Sequence, residues 1–207
     1  MLAPPPGRAV VSADNVAGLI LAGGKARRLG GGDKPLLRLR DVTILERLLS
    51  VMRRGARNCA INANGDAARF AAFGLPVLAD GRFEGEGPLA GVLVGLDWAS
   101  EMGATTLLTV PGDTPFIPSG LAAVLAPAPA CAASNGRLHY LVALWPVTLR
   151  ETLRKFLSAS HRRDVAYFAR QVGTRHVEFP VTKWDPFLNI NTPEELALAR
   201  AIVEGEG

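Results

Sequence analysis

The sequence is poor in cysteine and aromatic residues, and it lacks a long uninterrupted apolar run. Its two cysteines, Cys59 and Cys131, stand in separate apolar segments without a partner at metal-ligand or C-x-x-C spacing. We therefore expect two buried, reduced thiols rather than a metal site or a disulfide. The longest apolar stretch, residues 121–133, is short and is interrupted by Pro127 and Pro129, so it predicts no membrane-spanning segment.

Three further absences narrow the class of protein. Aromatic residues make up 6% of the 207 residues and no basic stripe interleaves with them, which argues against a nucleic-acid partner. The serine-hydrolase pattern G-x-S-x-G and the zinc-hydrolase pattern H-E-x-x-H are missing, and the three histidines are scattered. Residues 1–8 lack the basic-then-apolar order of a signal peptide and contain three prolines, so we expect a disordered tail over residues 1–15 and a cytoplasmic protein.

Glycine and proline, by contrast, are abundant, with 22 and 15 copies. Hydrophobic residues at 48% and charged residues at 20% are typical of globular proteins, so this excess predicts an ordered chain with many tight loops. The net charge of +4 would suit an anionic ligand. Residues 25–40 carry a net charge of +5, with six Lys or Arg and one Asp, so the rest of the chain is nearly neutral.

Apolar runs typical of buried strands alternate with segments of helical periodicity along most of the chain. This alternation predicts crossover units on a mainly parallel sheet, and hence an α/β, Rossmann-like, three-layer αβα sandwich. We expect one domain over residues 16–207. The expected strands are 16–21, 58–63, 76–78, 105–110, 138–145 and 175–179, and the expected helices are 44–52, 66–73, 89–102, 148–157, 165–171 and 192–203.

The most informative segment is L-A-G-G-K-A-R-R-L-G-G-G-D-K, residues 21–34. It follows the first expected strand, and ligands of open α/β sheets bind beyond the carboxyl ends of strands. Glycines allow the backbone N–H groups to converge on phosphate oxygens. Four cations accompany one carboxylate in this segment, so we expect a phosphate-binding loop rather than a plain turn.

Two common phosphate loops do not fit this segment. A Walker A loop requires Gly-Lys-Ser/Thr, but Lys25 is followed by Ala26. A G-x-G-x-x-G fingerprint does not follow the first strand, and the looser match at residues 85–90 contains Pro88 and lacks a convincing preceding strand. Both P-loop NTPases and Rossmann dehydrogenases are therefore disfavoured.

The segment 21–34 resembles the signature of the MobA-type molybdenum cofactor guanylyltransferases, a family of nucleotidyltransferases. The likeness continues in order through I-N-A-N at 61–64, G-P-L-A-G at 87–91, G-D-T-P-F-I-P at 112–118 and N-I-N-T-P-E-E-L at 189–196. Gly24 distinguishes the chain from the related cytidylyltransferases, which typically read L-A-A-G there. The resemblance implies a nucleotide-diphospho-sugar-transferase-like fold, with a nucleotide-binding first half and a pterin-binding second half.

The resemblance also implies a reaction and residues that perform it. GMP would pass from GTP to the terminal phosphate of molybdenum-loaded molybdopterin, giving the guanine dinucleotide cofactor and pyrophosphate. Arg28, Lys34 and Asp113 would be catalytic, and Asp113 would hold Mg²⁺; the alternative for Asp113 is an Asx turn before Pro115. The implied GTP-binding residues are Leu21, Ala22, Gly23, Gly24, Lys34, Asn62, Asp80 and Asp113, with Asn62 and Asp80 reading the guanine edge.

The pterin side is less closely matched. The implied pterin contacts are Asn189, Asn191, Arg162 and Arg163. Relatives often carry His-Pro where this chain has His139-Tyr140, and commonly glycine where it has Pro35. The first departure concerns the wall of the pterin site, and the second stiffens the end of the glycine loop without removing a charge.

Other functions remain open at this point. One alternative is a cytidylyltransferase acting on molybdopterin, or a sugar-phosphate nucleotidyltransferase of the same fold. Another is a module that binds a nucleotide for a partner without chemistry. If the chain is the guanylyltransferase, we expect a monomer or weak oligomer that touches molybdenum-insertion proteins and molybdoenzyme chaperones transiently, with no nucleic-acid or membrane partner.

Overall fold

A computed structural model describes residues 15–23, 31–159 and 164–205. The strands are β1 (Val16–Leu21), β2 (Arg38–Leu39), β3 (Val42–Thr43), β4 (Asn58–Asn62), β5 (Val77–Leu78), β6 (Thr106–Pro111), β7 (Ala130–Ser134), β8 (Arg137–Pro146) and β9 (Arg175–Glu178). The α-helices are α1 (Ile44–Met52), α2 (Pro88–Glu101), α3 (Leu121–Leu125), α4 (Arg150–Ala159), α5 (Val165–Gln171) and α6 (Pro193–Gly205). Within these described ranges, 3₁₀ helices cover Lys34–Leu36, Ala67–Phe73, Gly81–Phe83 and Val147–Leu149.

Seven strands form one sheet in the order β5-β4-β1-β6-β8-β7-β9. The pairs β4–β5, β1–β4, β1–β6 and β7–β9 are parallel, whereas β8 is antiparallel to β6 and to β7. The mainly parallel sheet that the sequence predicts is therefore confirmed. The chain moves outward from β1 through β4 to β5 and then returns to β6 on the other side of β1. That reversal opens a crevice at the carboxyl ends of β1 and β6.

Both faces of the sheet are covered, which explains why β1 is apolar at every position. Val16 and Ile20 pack into one core, and Ala17 and Leu19 pack into the other. Successive side chains of a strand point to opposite faces, so a strand between two helical layers must be buried throughout. Helices α1, α3 and α6 contribute to the first core, and α2, α4 and α5 to the second. The three-layer αβα sandwich is thus confirmed.

Helix α2 lies close to the sheet because it carries glycine where it crosses β1. A Cβ atom at Gly95 would lie 2.4 Å from Leu19 Cδ2 and 2.9 Å from Leu107 Cδ2. One turn earlier, a Cβ atom at Gly91 would lie 2.1 Å from the side-chain oxygen of Asn62. The glycines therefore set the distance between α2 and the strand ends that carry polar side chains.

Capping boxes stabilise the N-termini of two of the helices. Thr43 and Glu46 form a reciprocal capping box at the start of α1, and Thr192 and Glu195 form the predicted one at α6. The capping box predicted at residues 148–151 does not start α4. A 3₁₀ turn over Val147–Leu149 precedes the helix, which begins at Arg150. Glu151 forms an ion pair with Arg154 at 3.5 Å instead. The helix predicted over residues 66–73 is a 3₁₀ helix.

The elements that sequence patterns did not predict are short or weakly patterned. The β2–β3 hairpin has two residues in each strand, α3 has five, and β7 reads A-C-A-A-S without a β-branched residue.

Cys131 in β7 and Cys59 in β4 are free and buried, as expected, and burial raises the pKa of each thiol to about 11.

Two sequence predictions concern the exterior of this fold. Within the described ranges, every helix falls short of the length and apolarity that crossing a membrane requires. Residues 1–14, most of the expected disordered tail, lie outside the described part of the chain.

Candidate active site

The main cleft lies at the carboxyl ends of β1, β4 and β6, where the strand order reverses, and its volume is about 460 Å³. Backbone segments from both sides of the reversal form its floor. Gly112 N donates a hydrogen bond to Leu21 O at 2.9 Å, and Ala22 N donates to Asn62 O at 2.8 Å. The predicted residues that line it are Leu21, Ala22, Gly23, Lys34, Asn62, Asp80, Asp113 and Asn189.

One end of the cleft holds four polar side chains, which we call the Asp113 cluster: Lys34, Asp113, Asn189 and Asn191. Lys34 Nζ lies 2.9 Å from Asp113 Oδ2, and Asn189 Nδ2 donates to Asp113 Oδ1 at 2.9 Å. Lys34 also donates to the side-chain oxygen of Asn191. The side chains of Lys34 and Asp113 are 12% and 18% exposed, so the ion pair faces the cleft without being fully hydrated.

Backbone contacts bring the Asp113 cluster together from three parts of the chain. Asp113 follows β6 and accepts a hydrogen bond at its carbonyl from Ile190 N at 2.9 Å. Lys34 starts a 3₁₀ turn with Pro35, whose ring packs on Gly112 so closely that a Cβ atom there would lie 2.5 Å from Pro35 Cγ. Glycine before Asp113 is therefore what allows the lysine-bearing turn to reach the strand end.

The other end holds the Asp80 cluster, formed by Asn62, Asn64 and Asp80. Asn62 Nδ2 donates to Asp80 Oδ1 at 2.7 Å and to the carbonyl of Leu78 at 3.0 Å. Asn64 Nδ2 donates to Asp80 Oδ2 at 2.8 Å, and its own oxygen accepts from Asp80 N at 2.8 Å. Asn62 is 5% exposed and uses both amide hydrogens within the protein, so in this conformation it orients Asp80.

The end of the glycine loop is tied to the Asp80 cluster. Gly31 and Gly32 have φ values of +93° and +80°, a region that favours glycine. Asp33, which follows them, forms an ion pair with Arg69 Nε at 2.7 Å, and Arg69 Nη2 donates to Asn64 O at 2.7 Å. The Arg69 guanidinium also lies 4.7 Å from the centre of the Phe70 ring.

A second cleft of about 330 Å³ adjoins the main one. It is lined by β8 residues that include Arg137, His139 and Tyr140, and by the start of α5 at Asp164. Pro111, Leu141 and Asn189 line both clefts. The Asp113 cluster therefore lies at the junction of two compartments, an arrangement that suits a transfer between two substrates.

Among the described residues, no group of three or more His, Cys, Asp or Glu side chains could hold a metal ion. The Asp113 carboxylate is partly exposed at the cleft and offers oxygen donors of the kind that Mg²⁺ prefers. Mg²⁺ commonly binds one or two carboxylates together with substrate phosphates and water, so a lone aspartate beside a loop that is expected to bind phosphate fits this ion.

Four predicted site residues, Gly24, Arg28, Arg162 and Arg163, lie outside the described part of the chain. Asn189 and Asn191, expected near the pterin, reach Asp113 and Lys34 respectively. Sequence reasoning did not single out Asn64 or Arg69. Asn64 had a signal, since it stands two residues after Asn62 in the I-N-A-N motif, but Arg69 had none.

Comparison with known proteins identifies a family model and relatives that match most of the chain. The family model of the MobA-like NTP transferase domain matches residues 18–175. A molybdenum cofactor guanylyltransferase from Acidiphilium cryptum is 50% identical over 190 residues, which cover 92% of this chain and 96% of that protein.

Two solved structures resemble the fold. Molybdopterin-guanine dinucleotide biosynthesis protein A from Archaeoglobus fulgidus matches with a TM-score of 0.69 at 18% identity, covering 91% of this chain and 99% of that one. A CMP:2-keto-3-deoxy-manno-octonic acid synthetase in complex with CTP matches with a TM-score of 0.67 at 16% identity, covering 93% and 100%. At these identities the two structures establish the fold alone.

Proposed function

The chain belongs to the MobA-like NTP transferase family, and from that premise we propose that it transfers GMP from GTP to the terminal phosphate of molybdenum-loaded molybdopterin. The observation that carries this proposal is the Asp113 cluster at the junction of two clefts. One cleft would hold the nucleotide and the other the phosphate-bearing pterin, so that the two reacting groups meet beside Lys34 and Asp113.

The glycine loop and Lys34 would bind the triphosphate. Backbone N–H groups at the end of β1 and the Lys34 ammonium are donors suited to phosphate oxygens, and Arg28 would add a second cation. In the structure, Lys34 is paired with Asp113 at 2.9 Å. A phosphate at the loop would compete for that ammonium and leave the Asp113 carboxylate available to a cation.

Asp113 would hold the magnesium ion of the nucleotide. When bound, Mg²⁺ neutralises charge on the phosphate oxygens and favours departure of pyrophosphate. Asn189 Nδ2, at 2.9 Å from Asp113 Oδ1, would orient the carboxylate, and Asn191 would orient Lys34. Both asparagines would therefore act on the reacting centre through their charged partners.

The Asp80 cluster supports guanine as the base. A carboxylate has about four lone-pair sites, and the amides of Asn62 and Asn64 occupy one on each Asp80 oxygen. The remaining sites could accept the N1–H and N2–H₂ donors of guanine together. Cytosine presents one exocyclic amine beside acceptor atoms, so it would pair less well with the same carboxylate.

In the step itself, a terminal phosphate oxygen of the pterin attacks the α-phosphorus of GTP. A new P–O bond forms, the bond between the α-phosphorus and its bridging oxygen breaks, and pyrophosphate carries away that electron pair. The attacking phosphate monoester has a second pKa of about 6 and is already largely ionised at pH 7, so no general base is required. Arg162 and Arg163 would contact the pterin phosphate from beyond α4.

A pyrophosphate-release assay with ATP, GTP, CTP and UTP, with and without molybdopterin and Mg²⁺, tests the proposal. Release is expected with GTP and molybdopterin together, with a pterin guanine dinucleotide identified by mass. Asp113→Asn should abolish release while retaining the folded state. Preference for CTP would favour the cytidylyltransferase alternative, and GTP binding without turnover would favour a binding module.

A further inference from the structure

A buried polar cluster lies outside the Asp113 and Asp80 clusters, and one of its members, His139, lines the second cleft. It consists of Ser134 at the end of β7, His139 in β8 and Asp185 in the irregular segment between β9 and α6. Ser134 Oγ lies 2.8 Å from His139 Nε2 and 2.8 and 2.9 Å from the two oxygens of Asp185. Ser134 is fully buried and His139 is 8% exposed.

The chemistry of the three side chains determines which atom donates each hydrogen in this cluster. The Asp185 carboxylate is acceptor-only when ionised, so the single hydroxyl hydrogen of Ser134 is donated to it. Ser134 Oγ must then accept from His139, which requires a hydrogen on Nε2. Ser134 lacks exposure and directs its hydrogen to Asp185 rather than to the histidine, so the cluster does not form a nucleophilic serine.

Asp185 begins the segment that carries the two asparagines of the Asp113 cluster. Asp185 Oδ1 accepts from Phe187 N at 2.8 Å, which fixes the first turn of this segment. The buried Phe187 ring packs on His139 and on Phe179, with ring centroids 4.9 and 5.1 Å apart. Three residues after Phe187, Ile190 N donates to the carbonyl of Asp113 at 2.9 Å.

The same segment is fixed at its other end. Glu195 Oε2 accepts from Asn191 N at 2.6 Å and from Thr192 N at 3.0 Å, at the start of α6. Between Asp185 and Thr192 the chain forms neither helix nor strand. The backbone that carries Asn189 and Asn191 is therefore held by contacts at its two ends and by the hydrogen bond of Ile190 with Asp113 between them.

We propose that Ser134, His139 and Asp185 form a positioning cluster that holds Asn189 against Asp113 for nucleotidyl transfer. Removing the direct partner of a metal ligand typically costs about 10- to 100-fold in activity, and this cluster would act one step further out, through the backbone of residues 185–191 and Asn189. The inference rests on the proposed function, but the ordering of residues 185–191 can be measured without it.

The kinetic test is a double-mutant cycle between Asp185 and Asn189. Asp185→Ala should lower kcat for GMP transfer about 10- to 100-fold while leaving the Kd for GTP nearly unchanged, because the Asp80 cluster is separate. Asp185→Asn keeps an oxygen that can accept from Ser134 and Phe187, so it should restore most of the activity. In an Asn189→Ala background, Asp185→Ala should cause little further loss.

Asp97→Ala is the matched control. It removes a half-buried carboxylate that pairs with Arg154 at 2.6 Å between α2 and α4, and Asp97 lines neither of the two clefts. It should lower Tm without lowering kcat. Equal kcat losses for Asp185→Ala with and without Asn189 would overturn the positioning role.

Hydrogen exchange separates this inference from the proposed function. In the free protein, Ser134→Ala should speed amide exchange in residues 187–190, whereas Asp97→Ala should not. Unchanged exchange would overturn the inference even if the wild-type protein transfers GMP. Faster exchange in Ser134→Ala, together with a wild-type protein that transfers no GMP, would support the positioning of the segment and overturn the proposed function.

Discussion

The Asp80 cluster and the Asp113 cluster occupy the two ends of one cleft but are held in different ways. Asp80 receives amide hydrogens from Asn62 and Asn64, which are 18 and 16 residues away in sequence. Asp113 receives hydrogen bonds from Lys34 and Asn189, which are 79 and 76 residues away. One end is built from neighbouring strand loops, and the other joins distant parts of the chain.

This difference matches the demands on the two ends. A base-binding site requires a rigid acceptor, which adjacent strands of a sheet provide through short loops. A transfer centre must bring nucleotide and acceptor together, so its residues come from both halves of the sheet. The Asp113 cluster is accordingly more dependent on loop segments, and we expect kcat to be most sensitive there and nucleotide affinity to be most sensitive at Asp80.

After the complete loss of release expected for Asp113→Asn, the largest effect is expected at Lys34. Lys34→Ala removes the ammonium that would stabilise charge on the phosphates, and kcat for GMP transfer should fall about 10²–10³-fold. Lys155→Ala, which removes an exposed lysine from α4, is the control and should leave kcat unchanged. Steady-state pyrophosphate release measures both. A loss of less than about threefold at Lys34 would contradict the assignment of this end to the chemical step.

At the other end, Asp80→Asn should act on nucleotide selection. Replacing one carboxylate oxygen by an amide removes an acceptor for guanine, and GTP affinity should fall about 10- to 100-fold with a much smaller change in kcat at saturation. Calorimetry with GTP and with ITP, which lacks the 2-amino group, gives the sharper comparison. The wild-type preference for GTP over ITP should shrink in Asp80→Asn. An unchanged preference would mean that another group reads the base.

The same contrast explains how much the sequence could predict. Strands such as β1 and β6 are buried on both faces and bounded by glycine or proline, so their apolar runs identify them directly. Apart from Asn64, the residues of both clusters were predicted from the family resemblance. The contact of Asn191 with Lys34, 157 residues away, was not, because no local pattern encodes a pairing across the sheet.

The second half was harder to predict for a related reason. Strand β7 is made mainly of alanine, and its stability comes from pairing with β8 and β9 rather than from its own propensity. The segment after β9 lacks periodicity, so neither the contact of Asp185 with Ser134 nor its consequence for Asn189 could be derived from sequence spacing.

A pair of glycine substitutions on α2 distinguishes support of the Asp80 cluster from support of the core. Gly91→Ala places a Cβ atom 2.1 Å from Asn62 Oδ1, and Gly95→Ala places one 2.4 Å from Leu19 Cδ2. Each should destabilise the fold by about 1–3 kcal/mol, partly offset by the better helix propensity of alanine.

Only Gly91→Ala should also weaken GTP binding, because displacing Asn62 releases Asp80. Urea denaturation and GTP calorimetry on both variants measure the two effects. Equal losses of affinity would show that α2 acts on the whole cleft through the core rather than through Asn62.

The smallest effect concerns the pH dependence of the segment that supports the Asp113 cluster. Burial lowers the pKa of His139 from its usual value; the Asp185 and Glu178 carboxylates oppose this shift, and Arg137 reinforces it. The unfolded chain therefore binds a proton at higher pH than the folded chain. The free energy of unfolding falls as pH decreases from about 6.5 towards the folded pKa, and no further change arises below it.

His139→Gln keeps an N–H donor for Ser134 but cannot titrate in this range. Its stability relative to wild type should therefore improve as pH is lowered from 7.5 to 5.5, because only the wild-type protein loses the histidine contribution. Urea denaturation at these pH values measures the free energy of unfolding of both proteins. The difference between the two values cancels the contribution of the carboxylates that they share. A constant difference would show that His139 titrates alike in the folded and unfolded states and would contradict the prediction.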